Sequence, residues 1–254
     1  GGVAGATPGG EGGVGWAGAC EGERGGGGGG VGWKWGDGEG AADAARTTHA
    51  FAATGTYDVV LRASNHTDAA AAPVAVEVVE ATCYVSPAGA HVPPFTSWAN
   101  AATTIQAAVD AAVPGTRVLA TNGVYETGGA TNCPAGTALA GRVAVRRPLR
   151  LESVNGPAAT IIRGQGPRGT NAIRCVYMSA GKLIGFTVTN SYTRTDGDGS
   201  YNQNGGGINM FPSTTAVASN CVITGCYAHD SAGSTWGVLY NCTFTGNAAE
   251  RAAG

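Results

Sequence analysis

One alternation of apolar and polar positions recurs four times in the C-terminal half of the chain. SNCVITGC (219–226) returns as YNCTFTGN (240–247) after 21 residues; IGFTVTNS (184–191) starts 35 residues before the first, and AATIIRGQ (158–165) starts 26 before that. Set in register, Phe186, Cys221 and Cys242 form one column and Val188, Ile223 and Phe244 a second. They alternate with Thr187 and Thr189, Val222 and Thr224, and Thr243 and Thr245. Each copy therefore predicts one short strand with an apolar and a mostly polar face. Asn190, Gly225 and Gly246 follow the strands, and these residue types tolerate a left-handed turn. A strand this short cannot bury its face alone, but coils stacked about 4.8 Å apart place like side chains on one another. The pattern predicts a parallel β-helix, and its longest interval predicts an inserted loop, TRTDGDGSYNQNGGG (193–207).

Upstream the period changes. TTIQAAVDAAVPG (103–115) carries Ile105, Ala108, Val109 and Ala112 at helical spacing, with Thr103 and Gln106 spaced as a capping box and Pro114-Gly115 as the stop. RVLATNGVYE (117–126) and VAVRRPLRLESV (143–154) predict further strands. Nearer the N-terminus, GWKWGDGEG (32–40) places alternating tryptophans before a Gly-Asp-Gly turn. TYDVVLRAS (56–64), with Tyr57, Val59, Leu61 and Ala63 on one face, and VAVEVVEA (74–81) read as two more strands. Several short strands between turn signals predict a small antiparallel sandwich.

Composition sets the remaining bounds. Of 44 glycines, 20 fall in the first 40 residues, which sets 1–30 apart as a linker or a degenerate start of the sandwich. No strand, helix and Lys-Ser/Thr follow the run 25–30, so it does not read as a phosphate-cradling loop. The net charge of -2, with no basic run, argues against nucleic acid as a partner. No apolar run approaches the roughly 20 residues of a membrane helix. Seven cysteines without a CxxC pair argue against zinc. A start at Gly1 and an end within the repeats suggest a piece of a longer protein.

Two resemblances follow from these residues. W-x-W-G-D-G, H-x-F and G-T-Y-x-V-x-L, between Trp33 and Val79, resemble the polycystic kidney disease (PKD) domain, an immunoglobulin-like module of extracellular proteins. That resemblance implies structural roles for Asp37 and His49. From Tyr84 onward the helix, the V-L-x-x-N-G-V-Y strand and the repeats resemble the right-handed parallel β-helix, or pectate-lyase-like, superfamily, in which a short amphipathic helix caps the apolar end. GGGI (205–208) with N-C-x-x-x-G is similar to repeats of bacterial surface β-helices. The expected fold is all-β: an immunoglobulin-like β-sandwich over 31–81, a linker and capping helix over 82–116, and a right-handed parallel β-helix over 117–254, incomplete at its C-terminus.

The candidate chemistry is sparse. Asp196 and Asp198, with Asn202 and Asn204, offer oxygen ligands of the kind Ca²⁺ takes, and polysaccharide lyases of the resembled fold use Ca²⁺ against acidic sugars; a solvated turn accounts for the same residues. Arg163, Arg174, Lys182 and Arg194 could serve as a lyase base, and no pattern selects among them. Adjacent side chains such as His229 and Asp230 generally diverge, so the pair reads as an exposed turn rather than a relay. Trp236 could stack on a sugar or cover the coil edge. Cys221 and Cys242 read as a buried stack, with a disulfide between them, or between Cys83 and Cys133, left open.

The resulting expectation is a monomeric, secreted or cell-surface bacterial protein that meets extracellular polysaccharide or a surface glycan as a non-catalytic adhesin or scaffold. The alternative is a polysaccharide lyase or glycoside hydrolase whose groove lies on coils outside these residues. A hydrolase needs two carboxylates roughly 5 to 9.5 Å apart, and the repeats stack no Asp or Glu. The opening TIQAAVDAA and NGVYE is similar to that of pectin esterases, but their later Gln and Asp motifs do not appear.

Overall fold

The computed structural model describes residues 17–21, 31–42, 46–51, 55–64, 69–78 and 81–251. Most of the glycine-rich stretch 1–30 lies outside them. The chain divides into two units, the first running to Ala81 and the second built from Thr82–Ala112 and Thr116–Gly254.

In the first unit, β1 (Ala17–Glu21) pairs antiparallel with β4 (Arg46–Ala50). A second antiparallel sheet has the order β3-β2-β5-β6, from β2 (Val31–Lys34), β3 (Gly40–Ala42), β5 (Gly55–Ser64) and β6 (Ala69–Val78). Trp33, Trp35, Phe51, Val59 and Val78 are its buried core, and Tyr57 and Leu61 pack onto it from the face of β5 that the alternation predicts. Ala63, expected on that face, is exposed near the strand end. β6 begins five residues before Val74, because the run of alanines at 69–72, which carries no periodic signal, still pairs with Leu61–Ser64.

The second unit is a stack of parallel strands. At its head β7 (Thr82–Val85) pairs with β8 (Arg117–Ala120). The helix α1 (Ile105–Ala111) lies between them in sequence and buries Ile105, Ala108 and Val109 in the same core. Its frame differs from the expected capping box. Thr104, not Thr103, is the N-cap, accepting the Ala107 N–H at 3.3 Å. Thr103 bonds to His91 instead. Gln106 turns inward, where its Oε1 accepts the Ala144 N–H at 2.7 Å. At the other end Arg147 donates to the carbonyls of Ala112 and Asp110, satisfying groups a helix C-terminus leaves open.

From β8 the chain winds through three sheets in turn. The first coil continues with β9 (Gly123–Tyr125) and β10 (Ala140–Val145). The second has β11 (Arg150–Ser153), β12 (Thr160–Arg163) and β13 (Ile173–Met178). The third has β14 (Lys182–Ile184), β15 (Thr187–Thr189) and β16 (Ile208–Asn209). The fourth has β17 (Val217–Ser219), β18 (Val222–Thr224), β19 (Tyr227–Ala228) and β20 (Ser234–Thr235). The last has β21 (Val238–Tyr240), β22 (Thr243–Thr245) and β23 (Ala248–Ala249). The sheet orders β21-β17-β14-β11-β8-β7, β22-β18-β15-β12-β9 and β10-β13-β16-β20, parallel throughout, make this a parallel β-helix.

All four sequence repeats fall in the second sheet, in the expected register: Ile162 on Val188, Val188 on Ile223 and Ile223 on Phe244. The first sheet stacks Val118, Leu151, Leu183 and Ala218 in the same way. Side chains of both columns are fully buried until the last coil, where Leu239 and Phe244 are each 39% exposed. Asn190, Gly225 and Gly246 take φ of 52°, 60° and 61°, the left-handed turns that the sequence predicts between sheets. Within the segment 143–154, Arg146-Arg147-Pro148 separates β10 from β11, which belong to different sheets. Proline cannot donate to a ladder, and here it marks the corner.

Candidate functional site

In the first unit the Asp37 carboxylate meets His49 Nε2 at 2.5 Å, and Trp35 stacks on the same imidazole at 4.8 Å. His49 also meets Phe51 edge-on, so it sits among core aromatics and the exposed Asp37 carboxylate holds it there, a structural role. The His49 hydrogen bond holds the Asp37 carboxyl below its usual value of 3.8. A depressed folded-state value means that the contact's stability is present above about pH 3.8 and is lost as pH falls through the folded value. Asp37→Asn is therefore expected to flatten the acid limb of urea stability measured by tryptophan fluorescence between about pH 2 and 5; an unchanged limb would count against this role.

In the second unit the inserted loop is tied down by its own polar groups. Arg194 holds Asp196 with two bonds, Nε to Oδ1 at 2.9 Å and a second nitrogen to Oδ2 at 3.1 Å. Asp198 Oδ1 accepts the backbone N–H groups of Ser200 and Tyr201. Asn202 is buried, and its Oδ1 accepts the N–H groups of Ala138 and Leu139, both at 3.0 Å. Asn204 Oδ1 accepts from Gly205. Ca²⁺ takes about six to eight oxygens, and in this fold Asp196, one oxygen of Asp198, Asn202 and Asn204 are engaged within the protein. Among the described residues no group of three or more His, Cys, Asp or Glu could hold a metal ion.

The four basic residues offered as a lyase base are scattered. Arg174 is fully buried on β13 and donates to the backbone carbonyls of Tyr201, Asn204 and Gly205, so it anchors the loop from below. Arg163 pairs with Glu126 and Arg194 with Asp196, while Lys182 is exposed on the first sheet. His229 and Asp230 do meet, with Nδ1 and Oδ2 at 2.9 Å, contrary to the expected divergence. Ser231, at φ 48°, turns the chain beyond them, and the other imidazole nitrogen lies 3.6 Å from Glu250, itself paired with Arg168.

Trp236 is where exposure and geometry converge. It follows β20, is 55% exposed, and takes φ of 58°, a conformation that bulky residues rarely adopt. Its ring meets Phe211 edge-on at 5.1 Å, and Phe211 meets Tyr201 edge-on at 5.2 Å. Phe211 follows β16 and Trp236 follows β20, strands paired at Asn209 and Thr235, so the two rings come from successive coils. Tyr201 comes from the inserted loop and also packs beside buried Tyr177. The result is a row of three aromatic rings ending in an open indole. The sequence signalled Trp236 alone; Phe211 and Tyr201 lie outside the repeated octets, and only the register of the third sheet brings them together.

The described residues contain no helix long and apolar enough to cross a membrane. Comparison with curated proteins and with solved structures found no match. A family model described as PKD domain matches residues 20–80, so this part of the chain is similar to a module that occurs in extracellular or surface proteins.

Proposed function

We propose that the β-helix is a non-catalytic glycan-binding scaffold of a secreted or cell-surface bacterial protein, with Trp236, Phe211 and Tyr201 as its sugar platform. The observation that carries this reading is the exposed indole held in a strained backbone at the end of an aromatic row. Aromatic faces bury the apolar side of a sugar ring while its hydroxyls stay hydrated. The PKD match supports an extracellular setting. The helix-capped coils support membership of the pectate-lyase-like superfamily, and a monomer is the state proposed for the chain. Extracellular polysaccharide is the partner class.

Trp236→Ala is expected to weaken binding to a retained polysaccharide about ten-fold, or about 1.4 kcal/mol, with no change in the urea midpoint. A panel of neutral and acidic polysaccharides, read by affinity electrophoresis, provides the test. Absence of binding across the panel, or binding that ignores the substitution, would remove the platform. Release of oligosaccharide by the wild-type chain would replace the scaffold by an enzyme.

A further inference from the structure

The inward column that begins at Phe186 sets two thiols one above the other. β18 and β22 pair with Val222 opposite Thr243, so Cys221 and Cys242, each one residue earlier, face one another across one coil. That separation, about 4.8 Å between Cα atoms, lies within the roughly 4.4 to 6.8 Å that a disulfide spans. The side chains share one pose: Cys221 Sγ lies 3.2 Å from the Ser219 carbonyl and Cys242 Sγ 3.4 Å from that of Tyr240. Cys242 Sγ also reaches the Ala218 carbonyl on the preceding coil, at 3.5 Å, and so leans toward its neighbour.

Their surroundings differ in a way that assigns an order of reaction. Cys221 is buried between coils, whereas Cys242 is partly exposed. The neighbouring Cys221 thiol favours a thiolate on Cys242 and pulls its pKa down to about 6, while the Cys242 thiol and burial hold Cys221 up. A reacting thiol with a resolving thiol at its back is the arrangement of redox-active pairs. Cys83, Cys133, Cys175 and Cys226 are buried.

We propose that Cys242 and Cys221 are a redox pair, with Cys242 the reacting thiol and Cys221 the resolving one, whose disulfide ties the last described coil to the coil before it. The oxidant is a small-molecule disulfide, the kind of reagent an oxidising extracellular compartment supplies. The Cys242 thiolate attacks one sulfur of that disulfide, forming a mixed disulfide and releasing one thiolate. Cys221 then loses its proton to water and attacks Cys242 Sγ, which releases the second thiolate. One new S–S bond replaces the one broken, and the two electrons lost by the cysteine pair reside on the two released thiols.

The test is incubation of the full chain, folded, with oxidised glutathione, followed by acid quench and peptide mapping. The wild-type chain is expected to lose two hydrogens in mass and to yield a peptide joining Cys221 to Cys242. Cys221→Ala is expected to stop at a glutathione adduct on Cys242. In Cys242→Ala, Cys221 is expected to react at least about ten-fold more slowly than Cys242 does in Cys221→Ala. A wild-type product that remains a glutathione adduct on Cys242, or no product at either cysteine, would overturn the proposal without reference to the variants.

Discussion

Arg174→Met is expected to lower stability by about 3 kcal/mol and to release the loop that carries Tyr201. The guanidinium is wholly buried and has three backbone carbonyls as its bonding partners, those of Tyr201, Asn204 and Gly205. Burial pushes its pKa down, but an arginine donating to three acceptors remains charged across the range in which proteins fold. Methionine fills the space and strands those carbonyls. An unpaired buried acceptor costs about 1 to 3 kcal/mol, and part of that is recovered where loop movement admits water. Urea midpoints and limited proteolysis between residues 193 and 207 report the two effects. Arg174→Lys, which keeps the charge but not the planar fork, is expected to fall between. Because Tyr201 abuts Phe211, the methionine variant is also expected to lose glycan affinity. A midpoint within about 0.5 kcal/mol of wild type, with the loop still resistant to protease, would mean that Arg174 is not its anchor.

The same residue shows what could and could not be read in advance. Columns such as Val188, Ile223 and Phe244 were legible because the side-chain period of a strand is fixed and every coil meets the same neighbour. The left-handed Asn190 was legible for a similar local reason. Arg174 was visible only as one of several basic residues, since its burial depends on carbonyls 27 to 31 positions away. The third sheet was missed as a sheet because its strands shrink from six residues at β10 to two at β20, too few to carry a period. Its register is what pairs Phe211 with Trp236, so the aromatic row was equally hidden. The helix face, Ile105 to Ala112, was read correctly, but its cap slipped by one residue because Thr103 and Thr104 are chemically equivalent. His91, twelve residues upstream, engages the first of them and leaves the cap to the second. In the acidic loop, composition shows the carboxylates of Asp196 and Asp198 but not that Arg194 holds the first and backbone N–H groups reach one oxygen of the second.

Gly207→Ala is expected to cost about 3 kcal/mol, at the upper end of what overpacking exacts, whereas Gly199→Ala in the same loop is expected to change stability by less than about 0.5 kcal/mol. Gly207 is buried at the entry to β16 and bonded to the coils on both sides: its N–H donates to Ala232 and its carbonyl accepts from Val176. A methyl group there would stand 2.9 Å from Ile223 Cγ2 and 3.2 Å from Cys226 Sγ, and it would overlap the backbone carbonyl oxygen of Gly233. Side chains can rotate out of the way, but the Gly233 carbonyl belongs to the next coil, whose spacing is set by the ladder hydrogen bonds. Gly199 has no atom within 4 Å of the same added carbon. The strain at Gly207 would fall between β16 and β20, the strands that hold Phe211 and Trp236 one coil apart. Loss of glycan affinity is therefore expected to accompany the lower urea midpoint, and neither is expected at Gly199. Equal midpoints for the two variants would show that the third sheet is loose enough to absorb a methyl group, and the aromatic row would then lack the rigid support that a preorganised sugar platform requires.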